Sequence, residues 1–169
     1  MDARPATTRL FLALWPDAAV REQLRTWRDL WTWPRGASPV ATDKLHLTLH
    51  FLGSQPSERL PEFIDGFGVA FSPFELVLGV PTVWPGGIAV LEPGAAPPEL
   101  VLLHANIRKA LLAAGLAPEA RKYRAHVTMA RQAAGAAPPQ HGPVIGWQVD
   151  GYALVESRGG RYEVLARYG

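Results

Sequence analysis

Two short motifs constrain the fold of this chain more than any other feature of its sequence. Residues 46–49 read His-Leu-Thr-Leu and residues 126–129 read His-Val-Thr-Met. Because side chains alternate between the two faces of a β-strand, each motif predicts a strand with histidine and threonine on one face and apolar side chains on the other. Each strand would therefore present an imidazole beside a hydroxyl group.

The two motifs carry groups that a phosphodiester reaction requires. Histidine titrates near neutral pH, so one imidazole can accept a proton while a second donates one. Threonine hydroxyls can donate hydrogen bonds to phosphate oxygens. If the two strands face each other, His46, Thr48, His126 and Thr128 surround a phosphate with a proton-transfer group on each side. The pattern therefore predicts a phosphodiesterase.

Composition is consistent with one folded unit and excludes several classes of site. The chain has 169 residues, 48% hydrophobic and 19% charged, so we expect a single domain over 1–169. It contains no cysteine, which excludes disulfides, thiolate nucleophiles and cysteine-ligated metal centres. The net charge of +2 argues against a protein that coats long nucleic acids by charge alone.

The sequence also leads to expectations about location and assembly. The N-terminal residues lack the basic, apolar and small-residue segments of an export signal, and no apolar run approaches the length of a membrane span. We therefore expect a cytoplasmic protein with no membrane partner. Because no heptad repeat or apolar stripe remains beyond the expected cores, we expect a monomer.

Hydrophobic periodicity predicts helices and strands in alternation. Asp17 is a candidate N-cap for a helix that ends at 34–36, and further helices are expected over 58–69 and from Leu100 to near Gly115. Strands are expected over 9–15, 45–52, 74–78, 88–91, 126–129, 147–157 and 161–168, with Gly53 ending the second. The Ala-, Gly- and Pro-rich segment 132–143 is expected to be a loop. A helix precedes each histidine strand, which suggests two similar halves.

Strict alternation assigns faces to the side chains that follow each motif. It puts His50 on the face of His46 and Phe51 on the opposite face. It likewise puts Arg131 on the face opposite His126, so Arg131 reaches the histidine side only if its strand ends, twists or bulges just before it.

Four segments, in order, resemble one known family. Residues 9–14 (RLFLAL), 45–53 (LHLTLHFLG), 124–131 (RAHVTMAR) and 155–157 (VES) are similar to the 2H phosphoesterase superfamily. The similarity is greatest to the bacterial and archaeal RNA 2′,3′-cyclic phosphodiesterases, historically called 2′-5′ RNA ligases. Ala125 departs from the family, which often has proline there, and the departure affects strand geometry more than chemistry.

The resemblance implies a fold, a reaction and a partner. The implied fold is α+β and bilobal, with two pseudo-symmetric halves whose antiparallel sheets line a central cleft and whose helices lie outside. Family members open the 2′,3′-cyclic phosphate at an RNA 3′ end to leave a 2′-phosphate, with neither metal nor cofactor. Some also join RNA ends through a 2′-5′ linkage. The implied partners are RNA 3′ ends with a cyclic phosphate, in tRNA fragments or oligonucleotides.

The resemblance also implies catalytic roles. His126 is expected to activate water and His46 to protonate the leaving O3′, with the roles reversed for ligation. Thr48 and Thr128 are expected to donate hydrogen bonds to the non-bridging phosphate oxygens. From the sequence alone the two imidazoles are equivalent, and only the orientation of the substrate distinguishes them.

Three further residues are candidates for substrate binding. The resemblance places Arg131 near the phosphate or the neighbouring ribose, where its guanidinium would offset negative charge. Phe51 would form a stacking surface for the terminal base if the chain turns at Gly53. Arg124, two residues before His126, alternates onto the same face as that histidine.

Alternatives remain open from the residues alone. His46, His50 and His126 form a possible three-imidazole metal site, although a metal does not require the repeated threonine. A second alternative is a non-catalytic protein that binds RNA ends. A third is a 2H enzyme that acts on a small cyclic nucleotide or on ADP-ribose cyclic phosphate, because the motifs identify the phosphate but not what is attached to it.

Overall fold

The structure, a computed structural model, describes residues 4–169 and contains one curled antiparallel sheet with three α-helices. The strands are β1 Thr7–Leu14, β2 Ser38–Pro39, β3 Leu47–Pro56, β4 Phe74–Trp84, β5 Ile88–Pro93, β6 Val127–Arg131, β7 Ile145–Val149, β8 Tyr152–Arg158 and β9 Arg161–Tyr168. The helices are α1 Ala18–Leu30, α2 Leu60–Gly66 and α3 Pro98–Ala113. This architecture confirms the expected α+β fold.

The strand order is β7-β4-β5-β6-β3-β1-β8-β9, with the short β2 added beside β6. All strand pairs are antiparallel, and the two histidine-bearing segments lead into the adjacent strands β3 and β6. These two strands meet at one residue pair, Leu47 with Val127. The two halves of the sheet are therefore joined at the centre of the histidine motifs.

One face of the sheet packs on the helices and forms the main core. Leu24 and Trp27 of α1, Phe63 of α2 and Ile107 of α3 are all buried against it. The side chain of Asp17 accepts a hydrogen bond from the Val20 amide at 2.9 Å, so the predicted N-cap of α1 is confirmed. None of the helices within residues 4–169 has the length and apolar character that a membrane-spanning helix requires.

The other face carries a second, smaller apolar cluster, and none of the helices within residues 4–169 contributes to it. Phe11 and Ala13 of β1 and Ala153 and Val155 of β8 form this cluster, and Tyr162 packs beside it. We call this side of the sheet the open face. Because β1 is apolar on both sides, it separates the main core from the open face.

Several predicted boundaries were wrong. Gly53 does not end β3, which continues to Pro56 because the glycine adopts a φ of +70° within the strand. The predicted strand 147–157 is two strands, β7 and β8, interrupted at Asp150 and lying far apart in the strand order. Strand β4 extends to Trp84, well beyond the predicted 74–78. Helix α2 is shorter than the predicted 58–69.

Candidate active site

Two irregularities in strand pairing determine which side chains reach the open face. In β3, Thr48 pairs with Ala13 of β1, but His50 pairs with Leu12, so Leu49 is an extra residue. This bulge reverses the alternation, because paired residues in neighbouring strands share a face. The faces predicted for His50 and Phe51 were therefore wrong.

The reversal exchanges these two side chains. His50 is 6% exposed and lies on the core side, where its Nε2 is 2.9 Å from the carbonyl oxygen of His104. Phe51 pairs with Phe11 and is 57% exposed on the open face, on the same side as Thr48. The bulge therefore turns Phe51 toward the face that carries His46.

The second motif contains a bulge of the same kind. Thr128 pairs with Val90 of β5, but Ala130 pairs with Ala89, so Met129 is an extra residue. Arg131 consequently returns to the face of Thr128 and is exposed there. The face predicted for Arg131 by strict alternation was wrong, and the bulge that the sequence argument required is present.

His46 is held in a fixed orientation by its neighbours. Its Nδ1 lies 2.6 Å from the carbonyl oxygen of Lys44, and its Nε2 lies 2.9 Å from Oγ1 of Thr48. A carbonyl oxygen only accepts hydrogen bonds, so Nδ1 carries a proton and Nε2 is the position at which protons enter and leave. The ring stacks on Phe11, with centroids 4.8 Å apart, and meets the edge of Tyr162 at 5.6 Å.

His126 repeats this arrangement in the other half. Its Nδ1 lies 2.8 Å from the carbonyl oxygen of Arg124, again two residues earlier in the chain. Its ring centroid is 4.3 Å from that of Trp84. Both imidazoles therefore hold a proton on Nδ1 and leave Nε2 as the reactive nitrogen.

The threonines complete a crossed arrangement. Continuing the antiparallel pairing of Leu47 with Val127 by one residue in each direction sets His46 opposite Thr128 and His126 opposite Thr48. Each histidine is therefore followed two residues later by the threonine of its own motif and is opposite the threonine of the other motif. The positive charge of His126 lowers the pKa of His46, so the two imidazoles lie close to each other where the two halves meet.

The surroundings favour neutral imidazoles in the absence of substrate. Burial lowers the pKa of His46 to about 4, and the positive charges of Arg21 and Arg131 add to the decrease. Burial also lowers the pKa of His126, with further contributions from Arg124 and Arg131 in the same direction. Both histidines thus have Nε2 free to accept a proton at neutral pH. Arg131 is close enough to affect both.

Arg124 lies beside the site but its charge is already paired. Its guanidinium makes two hydrogen bonds to Glu92, at 2.6 and 2.9 Å, and lies 4.8 Å from the centroid of the Trp84 ring. Glu92 is only 8% exposed, and its negative charge raises the pKa of His126 by more than the charge of Arg124 lowers it.

Sequence reasoning missed the aromatic surroundings of the histidines. Phe11, Tyr162 and Trp84 come from distant strands, and no local pattern marks them. Lys44 was also missed, although one signal could have identified it: a basic residue stands two positions before each histidine. The Nζ of Lys44 lies 5.3 Å from the centroid of Tyr162, as Arg124 lies over Trp84.

Behind the site, a stack of three rings supports β3 from the core side. His104 of α3 lies between His50 and Tyr123, with both centroid distances at 3.9 Å. The Tyr123 hydroxyl donates to the carbonyl oxygen of Thr48 at 2.9 Å. Because His50 belongs to this stack on the face opposite His46, the three-imidazole metal site is contradicted. Within residues 4–169, no group of three or more His, Asp or Glu side chains is placed to hold a metal ion.

Comparisons with known proteins agree with this geometry. A family model described as the 2′-5′ RNA ligase superfamily matches residues 15–161. The chain is 33% identical over 152 residues to the RNA 2′,3′-cyclic phosphodiesterase of Escherichia coli (strain K12), covering 88% of this chain and 83% of the relative. It is 31% identical over 185 residues to the RNA 2′,3′-cyclic phosphodiesterase of Thermus thermophilus, covering 95% of this chain and 89% of the relative. The crystal structure of E. coli LigT complexed with 3′-AMP is similar at a TM-score of 0.80 and 29% identity, covering 95% of this chain and 97% of LigT.

Proposed function

Because the chain belongs to the 2′-5′ RNA ligase superfamily of 2H phosphoesterases, we propose that it hydrolyses the 2′,3′-cyclic phosphate at RNA 3′ ends to a 2′-phosphate. One observation carries the proposal. His46 and His126 stand in matched frames, each with Nδ1 fixed on the carbonyl oxygen two residues earlier and Nε2 free for proton transfer. A reaction that moves one proton on each side of a phosphate requires this arrangement.

Hydrolysis assigns a different role to each imidazole. His126 accepts a proton from water at Nε2 as the water oxygen attacks phosphorus. The bond between phosphorus and O3′ breaks, and protonated His46 gives its Nε2 proton to O3′. The products are a 2′-phosphate and a free 3′-hydroxyl. The His46 pKa of about 4 makes the protonated imidazole a strong acid.

The other side chains would stabilise the charge that builds on phosphorus. Thr48 and Thr128 donate their hydroxyl hydrogens to the two non-bridging oxygens, and Arg131 supplies a permanent positive charge near both histidines. The Thr48 hydroxyl becomes available once His46 is protonated, because Nε2 of neutral His46 accepts its hydrogen in the free protein. Binding a phosphate anion would also raise the pKa of His46, which must be protonated to act as the acid.

The exposed ring of Phe51 offers a surface for the terminal base. It lies on the open face two residue pairs beyond Thr48, so a base stacked there leaves its ribose phosphate near the histidines. The solved complex of E. coli LigT with 3′-AMP supports a nucleotide ligand for this fold. The histidines, the threonines and Phe51 belong to one chain, so the proposed reaction requires no residue from a second subunit.

The test uses an RNA oligonucleotide that ends in a 2′,3′-cyclic phosphate, incubated with the protein in excess chelator. The wild type should release only a 2′-phosphate, and His46→Ala and His126→Ala should each lose about 10²- to 10⁴-fold in rate. His141→Ala, which changes an exposed histidine outside the site, should match the wild type.

Three results would contradict the proposal. These are a 3′-phosphate product, near-normal turnover by both active-site variants, and loss of activity on chelation. Turnover of ADP-ribose cyclic phosphate or of a small cyclic nucleotide in place of the RNA would identify another 2H activity.

A further inference from the structure

The two halves of the open face differ in charge, although their histidine frames match. On β1, β3, β8 and β9, the strand positions that share a face with Phe11 include Arg9 and Arg167 but no carboxylate. On β4 and β5, the positions that share a face with Thr128 include Glu92, which neutralises Arg124. Arg131 is also an exposed cation, but it lies next to the histidines. A polyanion that extends beyond the histidines and Arg131 therefore meets Arg9 and Arg167 on the half that carries His46, whereas Arg124 on the other half is paired with Glu92.

Arg9 lies close to the proposed base surface. It is on the same face of β1 as Phe11, two residues before it, and pairs with Ser54 of β3 and Ser157 of β8. Because Phe51 pairs with Phe11, Arg9 and Phe51 share a face of neighbouring strands and are two residue pairs apart along β1. The Arg9 side chain is exposed, and it has no ion-pair partner among residues 4–169.

Lys44 adds a second cation on the same half. Its Nζ lies over the ring of Tyr162, and Tyr162 pairs with Ser157, which in turn pairs with Arg9. Among the described residues 4–169, neither Arg9 nor Lys44 forms an ion pair with a carboxylate. This row lies beyond Phe51 as seen from Thr48, so an RNA chain that continues past Phe51 and away from the histidines would meet it.

We propose that Arg9, assisted by Lys44, binds the phosphate on the 5′ side of the terminal nucleotide. This inference rests on the proposed function and extends it. The enzyme then prefers the end of a single-stranded oligonucleotide to a nucleoside 2′,3′-cyclic phosphate, which has no such phosphate. The charge difference also orients the RNA, because its 5′ portion then lies across the half of the open face that carries His46.

The experiment compares two substrates, a nucleoside 2′,3′-cyclic phosphate and a dinucleotide with the same terminal nucleoside and cyclic phosphate. The measured quantity is the ratio of kcat/KM for the dinucleotide to kcat/KM for the mononucleotide. A single charge-assisted contact to phosphate predicts a wild-type ratio of about ten. Arg9→Gln should lower this ratio to near one, and Arg9→Glu should lower it further by repulsion.

A matched control lies on the opposite face of the sheet. Arg158 is an exposed arginine at the end of β8, next to Ser157 and therefore on the other side, so Arg158→Gln should keep the wild-type ratio. Raising the salt concentration should reduce the ratio in the wild type but not in Arg9→Gln. A loss of folded protein lowers kcat/KM for both substrates equally and leaves their ratio unchanged. The ratio therefore reports only the effect of the additional phosphate.

The outcomes distinguish this inference from the function on which it rests. A wild-type ratio near one, or an equal decrease in Arg9→Gln and Arg158→Gln, overturns the phosphate site and leaves the hydrolase intact. If the wild type hydrolyses neither substrate, the proposed function fails and the inference fails with it. A ratio that falls only in the Arg9 variants supports both.

Discussion

Anion binding at the candidate site should be accompanied by proton uptake at His46. Without a bound anion, the side chain of His46 has a pKa of about 4, so only about one protein molecule in a thousand carries a proton on its Nε2 at pH 7. An anion that interacts with Nε2 favours the charged form and raises this pKa. If the anion raises the pKa to 7, the coupling is about 4 kcal/mol, from three pKa units at about 1.36 kcal/mol each.

Linkage then fixes the sign of the pH dependence. Because the complex holds more protons than the free protein, affinity falls as pH rises between the free and the bound pKa of His46. The expected slope is about tenfold per pH unit for one proton. The pKa of His126 is also lowered in the free protein. If the anion raises this pKa as well, binding takes up a second proton and the dependence on pH becomes steeper.

Sulfate is the suitable probe because it is a tetrahedral anion that does not titrate in this range. Calorimetric titrations at about pH 5.5, between the free and the bound pKa of His46, in two buffers with different enthalpies of ionisation, give the number of protons taken up per sulfate. His46→Asn should lower that number by close to one, and His141→Asn should leave it unchanged. Sulfate binding without proton uptake, or equal uptake by the wild type and His46→Asn, would refute the argument.

Three other substitutions test the supporting structure. Thr128→Val keeps the side-chain shape but removes a donor to charged phosphate, so kcat should fall about 10- to 100-fold with little change in KM; a raised KM at constant kcat would contradict this. Phe11→Ala should lower the free energy of unfolding in urea by about 3–5 kcal/mol, because Phe11 is only 4% exposed beneath His46, and a loss below about 1 kcal/mol would refute its role as a support. Tyr123→Phe retains the ring stack but leaves the Thr48 carbonyl without its donor, so unfolding should become easier by about 1–3 kcal/mol, and a variant as stable as the wild type would exclude that bond.

The sequence predicted the features that depend on local patterns. The two histidine motifs, the three helices and the Asp17 cap follow from alternation, helical periodicity and capping chemistry, which act over a few residues. The same reasoning failed at Leu49 and Met129, because a bulge is defined by the partner strand and not by the residues that form it. Phe51 and Arg131 were assigned to the wrong faces for this reason.

Features that depend on distant parts of the chain could not be predicted. Tyr162 reaches His46 from β9, and Trp84 reaches His126 from the end of β4. The break at Asp150 is another case, because β7 and β8 read as one apolar strand although they pair with different neighbours. Pairing partners that are remote in sequence determine these positions, and one sequence does not specify them.

The two halves hold their histidines in the same way, and the function we propose depends on the positions at which the halves differ. Four pairs of side chains are separated by the same 80 positions: Lys44 and Arg124, His46 and His126, Thr48 and Thr128, and Phe51 and Arg131. The second and third pairs are identical in residue type, so they give two equivalent imidazoles and two equivalent hydroxyls. The fourth pair sets an aromatic ring against a guanidinium.

In the function we propose, this fourth pair would orient the substrate. A base would stack on Phe51, whereas negative charge on the phosphate would be drawn toward Arg131. The ribose would then lie on the side of His46, and the attacking water would approach from the side of His126, in line with the bond to O3′. The first pair acts in the same direction, because Glu92 neutralises Arg124 and Lys44 stays uncompensated among residues 4–169. The choice of acid and base thus follows from the binding side chains that flank the histidines, since the frames of the histidines match.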